Sequence, residues 1–138
     1  MQNASAYKTT EINTADRVRI ISLMYDGAIN FINLAKERLQ EGDVAGKGLY
    51  TGKATAVIGE LASSLNMEAG GEIAKNLKML YDYILDRLLF ANLHNNQAGY
   101  DEAIRVINIL REGWKEMEKK QQYSVKHAEC ALTAGVRV

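Results

Sequence analysis

Apolar residues recur every three or four positions along four consecutive segments of this 138-residue chain. The clearest series begins at Ile73 and continues through Leu77 and Leu80 at steps of four and three. No proline interrupts any segment, because the chain contains none. A helix shows its buried stripe at a period of 3.6 residues, and proline breaks helices. The pattern therefore predicts four uninterrupted amphipathic helices.

The spacing of the segments is typical of a helical bundle. We expect helices at about 15–41, 44–65, 71–93 and 97–119. Long helices joined by short turns pack most simply side by side in alternating directions. The predicted fold is therefore all-α, an antiparallel four-helix bundle over residues 14–120, with a flexible N-terminal arm at 1–13. Residues 121–138 show no sustained period and are predicted to form a C-terminal tail.

The second helix is expected to depend on packing more than the others. Asp43 is a good N-cap for it, but four glycines fall inside it, namely Gly46, Gly48, Gly52 and Gly59. Each glycine costs about 0.5–1 kcal/mol relative to alanine within a helix. Either these glycines let a neighbouring backbone approach closely, or the first turns of the helix are loose. Asn96 is the corresponding N-cap candidate for the fourth helix.

The charge balance argues against several classes of partner. Lys and Arg together number 17, as do Asp and Glu, so the formal net charge is zero. A nucleic-acid-binding surface needs an excess of basic residues, and a membrane span needs about 18 consecutive apolar residues; the chain has neither. Its single cysteine, Cys130, cannot form an internal disulfide, and its first residues do not resemble a signal peptide. We expect a cytoplasmic protein with no nucleic-acid partner and no membrane insertion.

Motifs for catalysis, metal binding and cofactor binding are all incomplete. A di-iron site in a bundle needs Glu three residues before His on two helices, but His94 falls in a predicted turn and His127 in the tail. Residues 48–54 resemble a phosphate loop without its first glycine and with Ala54 at the Ser/Thr position. His127 and Cys130 have no third group to orient a base. We predict a non-enzymatic protein without catalytic, cofactor-binding or metal-binding residues.

Four strings of residues are more specific than a general bundle pattern. They are residues 23–29 (LMYDGAI), 70–77 (GGEIAKNL), 80–84 (LYDYI) and 110–114 (LREGW). In this order and spacing they resemble the flagellar secretion chaperone family FliS, over about residues 7–118. One departure is Ala15, which stands where family members commonly have a proline before the first helix.

This resemblance implies a function and a partner. It implies a cytoplasmic chaperone that binds the C-terminal segment of flagellin, prevents its premature polymerisation and assists its delivery to the flagellar type III export apparatus. Components of that apparatus are further candidate partners. In the family the client wraps around the bundle over hydrophobic surface, part of which a tyrosine-bearing N-terminal segment can cover. Tyr7 matches that tyrosine and Ile12 follows it as an apolar residue, so both are expected to form an N-terminal lid.

Apolar residues in excess of one buried stripe are the candidates for client contact. A disordered partner that folds on binding needs a long apolar surface, and the first helix carries more apolar residues than one stripe requires. The expected client-binding residues are Ile20, Met24, Tyr25, Val57 and Ile58. The residues expected to pack the bundle are Asp26, Gly27, Phe31, Leu77, Leu80, Ile84, Leu88 and Trp114. Among them, Gly27 is expected to allow a close approach and Asp26 to make a hydrogen bond.

One alternative belongs to a different functional class. The same excess of apolar surface would also suit a structural four-helix module that self-associates, for example as a weak homodimer. A stable dimer that does not respond to a flagellin peptide would identify such a module.

Overall fold

The structure, a computed structural model, describes residues 14–135, with side chains described for residues 15–120. Four helices follow one another and are numbered here in chain order. They are α1 (Thr14–Gln40), α2 (Val44–Ser63), α3 (Met67–His94) and α4 (Gln97–Gly135). The predicted lid residues Tyr7 and Ile12, like the rest of the arm, lie outside the described residues.

The four helices form an antiparallel bundle, which confirms the predicted fold class. α1 packs beside α2 and α4, and α3 completes the bundle between the same two helices. Two ion pairs show how α4 runs against α1: Lys36–Asp101 at 2.6 Å and Asp26–Arg111 at 3.0 Å. Since residue numbers fall along α4 as they rise along α1, the two helices are antiparallel.

Side-chain caps mark the beginnings of three helices. The predicted caps Asp43 and Asn96 each accept a hydrogen bond of 2.9 Å from a backbone N–H in the first turn that follows. Asn66 caps α3 in the same way at 3.0 Å. These bonds satisfy N–H groups that have no partner within the helix itself.

α3 begins earlier than the sequence predicts. Its first turn starts at Met67, whereas the expected start was residue 71. Gly71 has a φ of 53° and a ψ of −129°, which interrupts the helix after that turn. Glycine adopts this backbone conformation without the steric cost that a Cβ would bring. Gly71 therefore separates a short first turn from the main helix.

α4 continues to Gly135, which corrects the predicted helix end near residue 119. Apolar periodicity reports a buried stripe, whereas helix formation requires only residues of adequate propensity. Residues 121–134 contain neither proline nor glycine, so their composition does not end the helix. That residues 121–138 form a separate tail stays a prediction.

The buried stripe of α3 is displaced by one residue from the predicted one at two positions. Ala74 and Tyr81 are buried, whereas Ile73 and Leu80 are 72% and 38% exposed. Leu80 is therefore not a core residue, and its predicted packing role is wrong. Hydrophobicity favours Ile and Leu over Ala and Tyr, but adjacent positions differ by about 100° around a helix. Tyr81 tolerates burial because its hydroxyl is hydrogen-bonded to that of Tyr25.

The remaining side chains predicted to pack the bundle lie in the core or against it. Ile84 and Leu88 are fully buried, and three others, Phe31, Leu77 and Trp114, are partly buried against the core.

The hydrogen bond predicted for Asp26 is present, whereas the close approach predicted for Gly27 is not. Asp26 accepts a hydrogen bond of 3.0 Å from the guanidinium of Arg111. At Gly27 a Cβ would meet no atom within 4 Å, so this glycine does not serve a close approach. The predicted reason for Gly27 is therefore wrong, because the bundle leaves space for a side chain there.

α2 buries polar as well as apolar side chains. Lys47 and Thr51 are each 4% exposed. The Lys47 ammonium donates to the backbone carbonyl of Asn92 at 2.9 Å and to the side chain of Asn95. The Thr51 hydroxyl is 2.7 Å from that of Tyr100. These bonds tie α2 to the end of α3 and to α4, where apolar periodicity alone gave no indication of burial.

Candidate functional site

An open pocket of about 490 Å³ lies at the end of the bundle where α1 begins and α2 ends. All four helices contribute side chains to it. The lining residues are Arg17, Ile20, Ile21, Met24, Leu61, Ser64, Leu65, Asn66, Leu77, Tyr81 and Trp114. Because its walls come from every helix, the pocket exists only in the assembled bundle.

The chemistry of this pocket is mainly apolar. Arg17 is its one charged lining residue, and both Arg17 and Asn66 are exposed to solvent. Leu61 and Tyr81 are buried, at 4% and 1% exposure, and lie on the protein side of the pocket. Apolar walls with a few well-placed polar groups are typical of binding sites, because burial provides affinity and polar groups provide orientation.

Two tyrosine hydroxyls meet beside the pocket. The hydroxyl oxygens of Tyr25 and Tyr81 are 2.5 Å apart and join α1 to α3 across the core. Burial raises the pKa of the Tyr25 hydroxyl, as does its hydrogen bond to Tyr81, whereas a hydrogen bond from Trp114 lowers it. Burial likewise raises the pKa of Tyr81. Both hydroxyls are therefore neutral at physiological pH and act as hydrogen-bonding groups.

The predicted client-binding residues occupy different environments. Ile20, 45% exposed, and Met24, partly buried, both line the pocket. Val57 is partly buried against the core and lies outside the pocket. Tyr25 and Ile58 are both fully buried. Because neither has surface to offer a partner, the structure contradicts their assignment as contacts and makes them core residues.

Of the eleven lining residues, sequence reasoning assigned only Ile20 and Met24 to the site. It gave Leu77 and Trp114 a packing role and missed the other seven, of which Ile21, Leu61, Leu65 and Tyr81 are apolar or aromatic. The register of the α1–α2 hairpin is a signal that could have identified the leucines as lining residues. The rings of Phe31 and Tyr50 stack with centroids 6.4 Å apart. In an antiparallel pair this register places Leu61 opposite Ile20, eleven residues further from the turn on each helix.

A second apolar surface lies on α3. Seven large side chains of this helix are exposed: Met67, Ile73, Met79, Leu80, Tyr83, Leu89 and Leu93. On α1 the corresponding exposed residues are Ile20 and Leu23. The excess of apolar surface that the sequence indicated for the first helix is therefore more extensive on α3. Exposed apolar residues mark a site for binding other proteins where they form a contiguous patch, whereas single ones are ordinary.

The described part of the chain shows neither a membrane-spanning helix nor a cluster of metal ligands. Within residues 14–135, none of the helices combines the length and apolarity needed to cross a membrane. Among residues 15–120, whose side chains are described, no three His, Cys, Asp or Glu side chains come together as potential metal ligands. His127 and Cys130 lie in the part of α4 whose side chains are not described.

Comparison with known proteins connects this bundle to one family. The family model described as "Flagellar protein FliS" matches residues 1–121. The flagellar secretion chaperone FliS of Salmonella typhimurium is 36% identical over 113 residues, which cover 81% of this chain and 84% of the relative. The Vibrio cholerae chaperone of the same name is 33% identical, with 78% and 79% covered.

A third relative extends the match further. The flagellar secretion chaperone FliS of Campylobacter jejuni is 32% identical over 124 residues, covering 88% of this chain and 97% of the relative. The match to the family model includes all four strings of residues that carried the resemblance. The chain is a member of the FliS family of flagellar proteins.

Proposed function

We propose that this protein is a cytoplasmic export chaperone that binds the disordered C-terminal region of flagellin. Binding prevents premature polymerisation and assists delivery to the flagellar type III export apparatus. The observation that carries the proposal is the open apolar pocket at the end of a bundle whose relatives are named flagellar secretion chaperones. The proposal includes association with components of the export apparatus. It includes no catalytic step.

Apolar burial is the source of affinity in this proposal. The formal net charge is zero, so long-range attraction contributes little to binding. A disordered client must offset the entropy that it loses on ordering, which requires a long apolar contact. The pocket and the exposed apolar residues of α3 together provide such a surface over several helices. Of the predicted contacts, Ile20 and Met24 line the pocket. Val57, which lies outside the pocket, stays a candidate contact.

The N-terminal arm is proposed to act as a displaceable lid over the pocket. α1 begins at Thr14, and Arg17 and Ile20 in its first two turns already line the pocket. Seven residues of extended chain span up to about 25 Å, so Tyr7 and Ile12 are within reach of it. Deletion of residues 1–13 should therefore increase the fluorescence of a hydrophobic dye while the helical circular dichroism stays unchanged. An unchanged dye response would rule out the lid.

Isothermal titration with the C-terminal region of the cognate flagellin tests the main proposal. We expect binding with a negative heat-capacity change, because apolar surface is buried. The variant Ile20→Lys should weaken binding by about tenfold or more, since it loses apolar contact and places a charge at the pocket.

Leu23→Lys is the matched control. Leu23 lies on the same helix at 56% exposure, close to the 45% of Ile20, but does not line the pocket. Its substitution should leave affinity within about threefold. Equal losses in the two variants would reject the pocket as the binding site, and no binding by the unmodified protein would reject the chaperone proposal itself.

Self-association is the second candidate function, and the exposed apolar residues of α3 favour it. In that case the same surface would bury itself against a second copy of the chain, giving a homodimer. Light scattering with and without the flagellin segment separates the two functions. A monomer that forms a one-to-one complex supports the chaperone, whereas a stable dimer that is indifferent to the segment supports the structural module.

A further inference from the structure

Arg17 carries a positive charge that the bundle itself does not explain. It lies in the first turn of α1, where the positive end of the helix dipole disfavours a cation. Among the described residues, no carboxylate or other group pairs with its guanidinium. The side chain is exposed to solvent and also lines the pocket. Neither the stability of α1 nor an ion pair within the described bundle therefore accounts for this charge.

Asn66 gives the edge of the pocket a second unused donor. Its side-chain oxygen accepts a hydrogen bond of 3.0 Å from the backbone N–H of Ala69. A backbone N–H can only donate, so this bond determines which end of the amide faces α3. The other end is the NH2 group, which has no acceptor among the described residues. Because Asn66 is exposed and lines the pocket, a donor remains available there.

The rest of the lining contains nothing that would repel an acidic partner. Among the described residues that line the pocket, none is Asp or Glu. The hydroxyl of Ser64 donates to the backbone carbonyl of Glu60 at 2.7 Å. The polar edge of the pocket thus combines a cation with a neutral donor beside apolar walls. A guanidinium can bind a carboxylate through two parallel hydrogen bonds, which are stronger than those between neutral groups.

We propose that Arg17, assisted by the amide of Asn66, binds the carboxylate of an Asp or Glu side chain in the peptide segment that occupies the pocket. This inference rests on the proposed function and defines the segment: its apolar side chains fill the pocket, and an acidic side chain lies at the edge. The acid is internal to the segment, because an open pocket lets the peptide continue beyond it. Apolar burial remains the main source of affinity, and the ion pair determines which segment is accepted and in which orientation.

Arg17→Gln tests the proposal because it removes the charge at an exposed position and leaves the apolar walls in place. Calorimetric titration with the C-terminal segment of flagellin should show an affinity about three- to tenfold lower. Higher ionic strength should weaken binding by the unmodified protein more than binding by the variant. Arg17→Lys keeps the charge without the planar fork, so its affinity should lie between the two.

Two further variants separate a local contact from a general effect of charge. Arg19 lies on the same helix, is exposed and has no partner among the described residues, but it does not line the pocket. Arg19→Gln changes the net charge equally and should leave affinity within about twofold. Asn66→Asp keeps an oxygen that can cap α3 but replaces the donor with a negative charge. It should weaken binding about threefold or more without lowering the free energy of unfolding.

Changes in the segment identify the carboxylate. A segment in which every Asp and Glu is replaced by Asn or Gln should bind the unmodified protein about as weakly as the original segment binds Arg17→Gln. Combining the two changes should cost no more affinity than either one alone, as expected when both remove the same pair. Amidation of the terminal carboxylate should leave affinity unchanged. If amidation alone weakens binding, the terminal carboxylate is the ligand and the internal acid is overturned.

The outcomes separate this inference from the proposed function. A loss of affinity in Arg17→Gln that Arg19→Gln does not share supports it. If the unmodified protein binds the segment and Arg17→Gln binds it equally well, or if Arg19→Gln loses as much affinity, the inference is overturned while the chaperone proposal stands. If the unmodified protein does not bind the segment at all, both are overturned.

Discussion

Adding one methyl group at two glycines of this bundle should change its stability in opposite directions. Gly52 is exposed in the interior of α2, and a Cβ there would meet no atom within 4 Å. Gly99 is buried in the first turn of α4, where a Cβ would lie 2.8 Å from both the Ala91 Cβ and the Arg87 backbone oxygen. Because that oxygen belongs to the backbone of α3, the two helices would have to separate to admit the methyl group.

The structure sets the size of each effect. Gly52→Ala should stabilise the protein by about 0.5–1 kcal/mol, since alanine loses less conformational entropy in a helix and nothing opposes its side chain. Gly99→Ala receives part of the same gain, but overpacking a well-packed contact costs about 1–3 kcal/mol. The net result at Gly99 should be destabilisation by roughly 1–2 kcal/mol.

Urea unfolding followed by far-ultraviolet circular dichroism measures both changes. The unfolding midpoint should rise for Gly52→Ala and fall for Gly99→Ala, with unchanged slopes if both variants remain two-state. A Gly99→Ala protein as stable as the unmodified one would refute the close α3–α4 contact. Destabilisation of Gly52→Ala by more than about 0.5 kcal/mol would refute the open space beside α2.

Three further predictions concern the core. Ile84→Ala should lower the free energy of unfolding by about 2–5 kcal/mol in urea titration, because Ile84 is fully buried. Lys47→Met should lower it by about 1–3 kcal/mol in the same assay, because the Asn92 carbonyl and the Asn95 side chain lose the hydrogen bonds from a charged donor. Burial raises the pKa of Tyr25 and Tyr81 above the ordinary value of 10.0, so the unfolded chain releases these protons first. Stability measured from pH 8 to 11 should therefore hold up to about pH 10 and fall above it, less steeply in a double variant that carries Tyr25→Phe and Tyr81→Phe.

The sequence predicted the buried residues better for α1, α3 and α4 than for α2. In α1, α3 and α4 the apolar period identified the helices. The caps Asp43 and Asn96 marked the starts of α2 and α4. In α2 the buried set includes Lys47 and Thr51, whose burial depends on hydrogen-bonding groups that α3 and α4 provide. A pattern of apolar residues cannot indicate such positions, because the partner groups are about 45 or more residues distant in the chain.

Prediction of the candidate site was limited in the same way. Ile20 and Met24 were recognised because the first helix has more apolar residues than one buried stripe needs, and both line the pocket. Tyr25 and Ile58 belong to equally apolar stretches but are fully buried. Which side of a broad apolar stripe meets a neighbour depends on the rotation of each helix about its axis, which local sequence does not specify.

Local sequence alone was enough to specify four helices, the approximate position where each begins, and membership of the FliS family. Helix formation is local, because each backbone N–H bonds to a carbonyl four residues away, and no proline breaks that series. Tertiary structure decided that Tyr81 and not Leu80 enters the core, and that Tyr25 bonds to it across the bundle. Those outcomes, and the pocket beside them, depend on distant residues that become neighbours only when all four helices pack together.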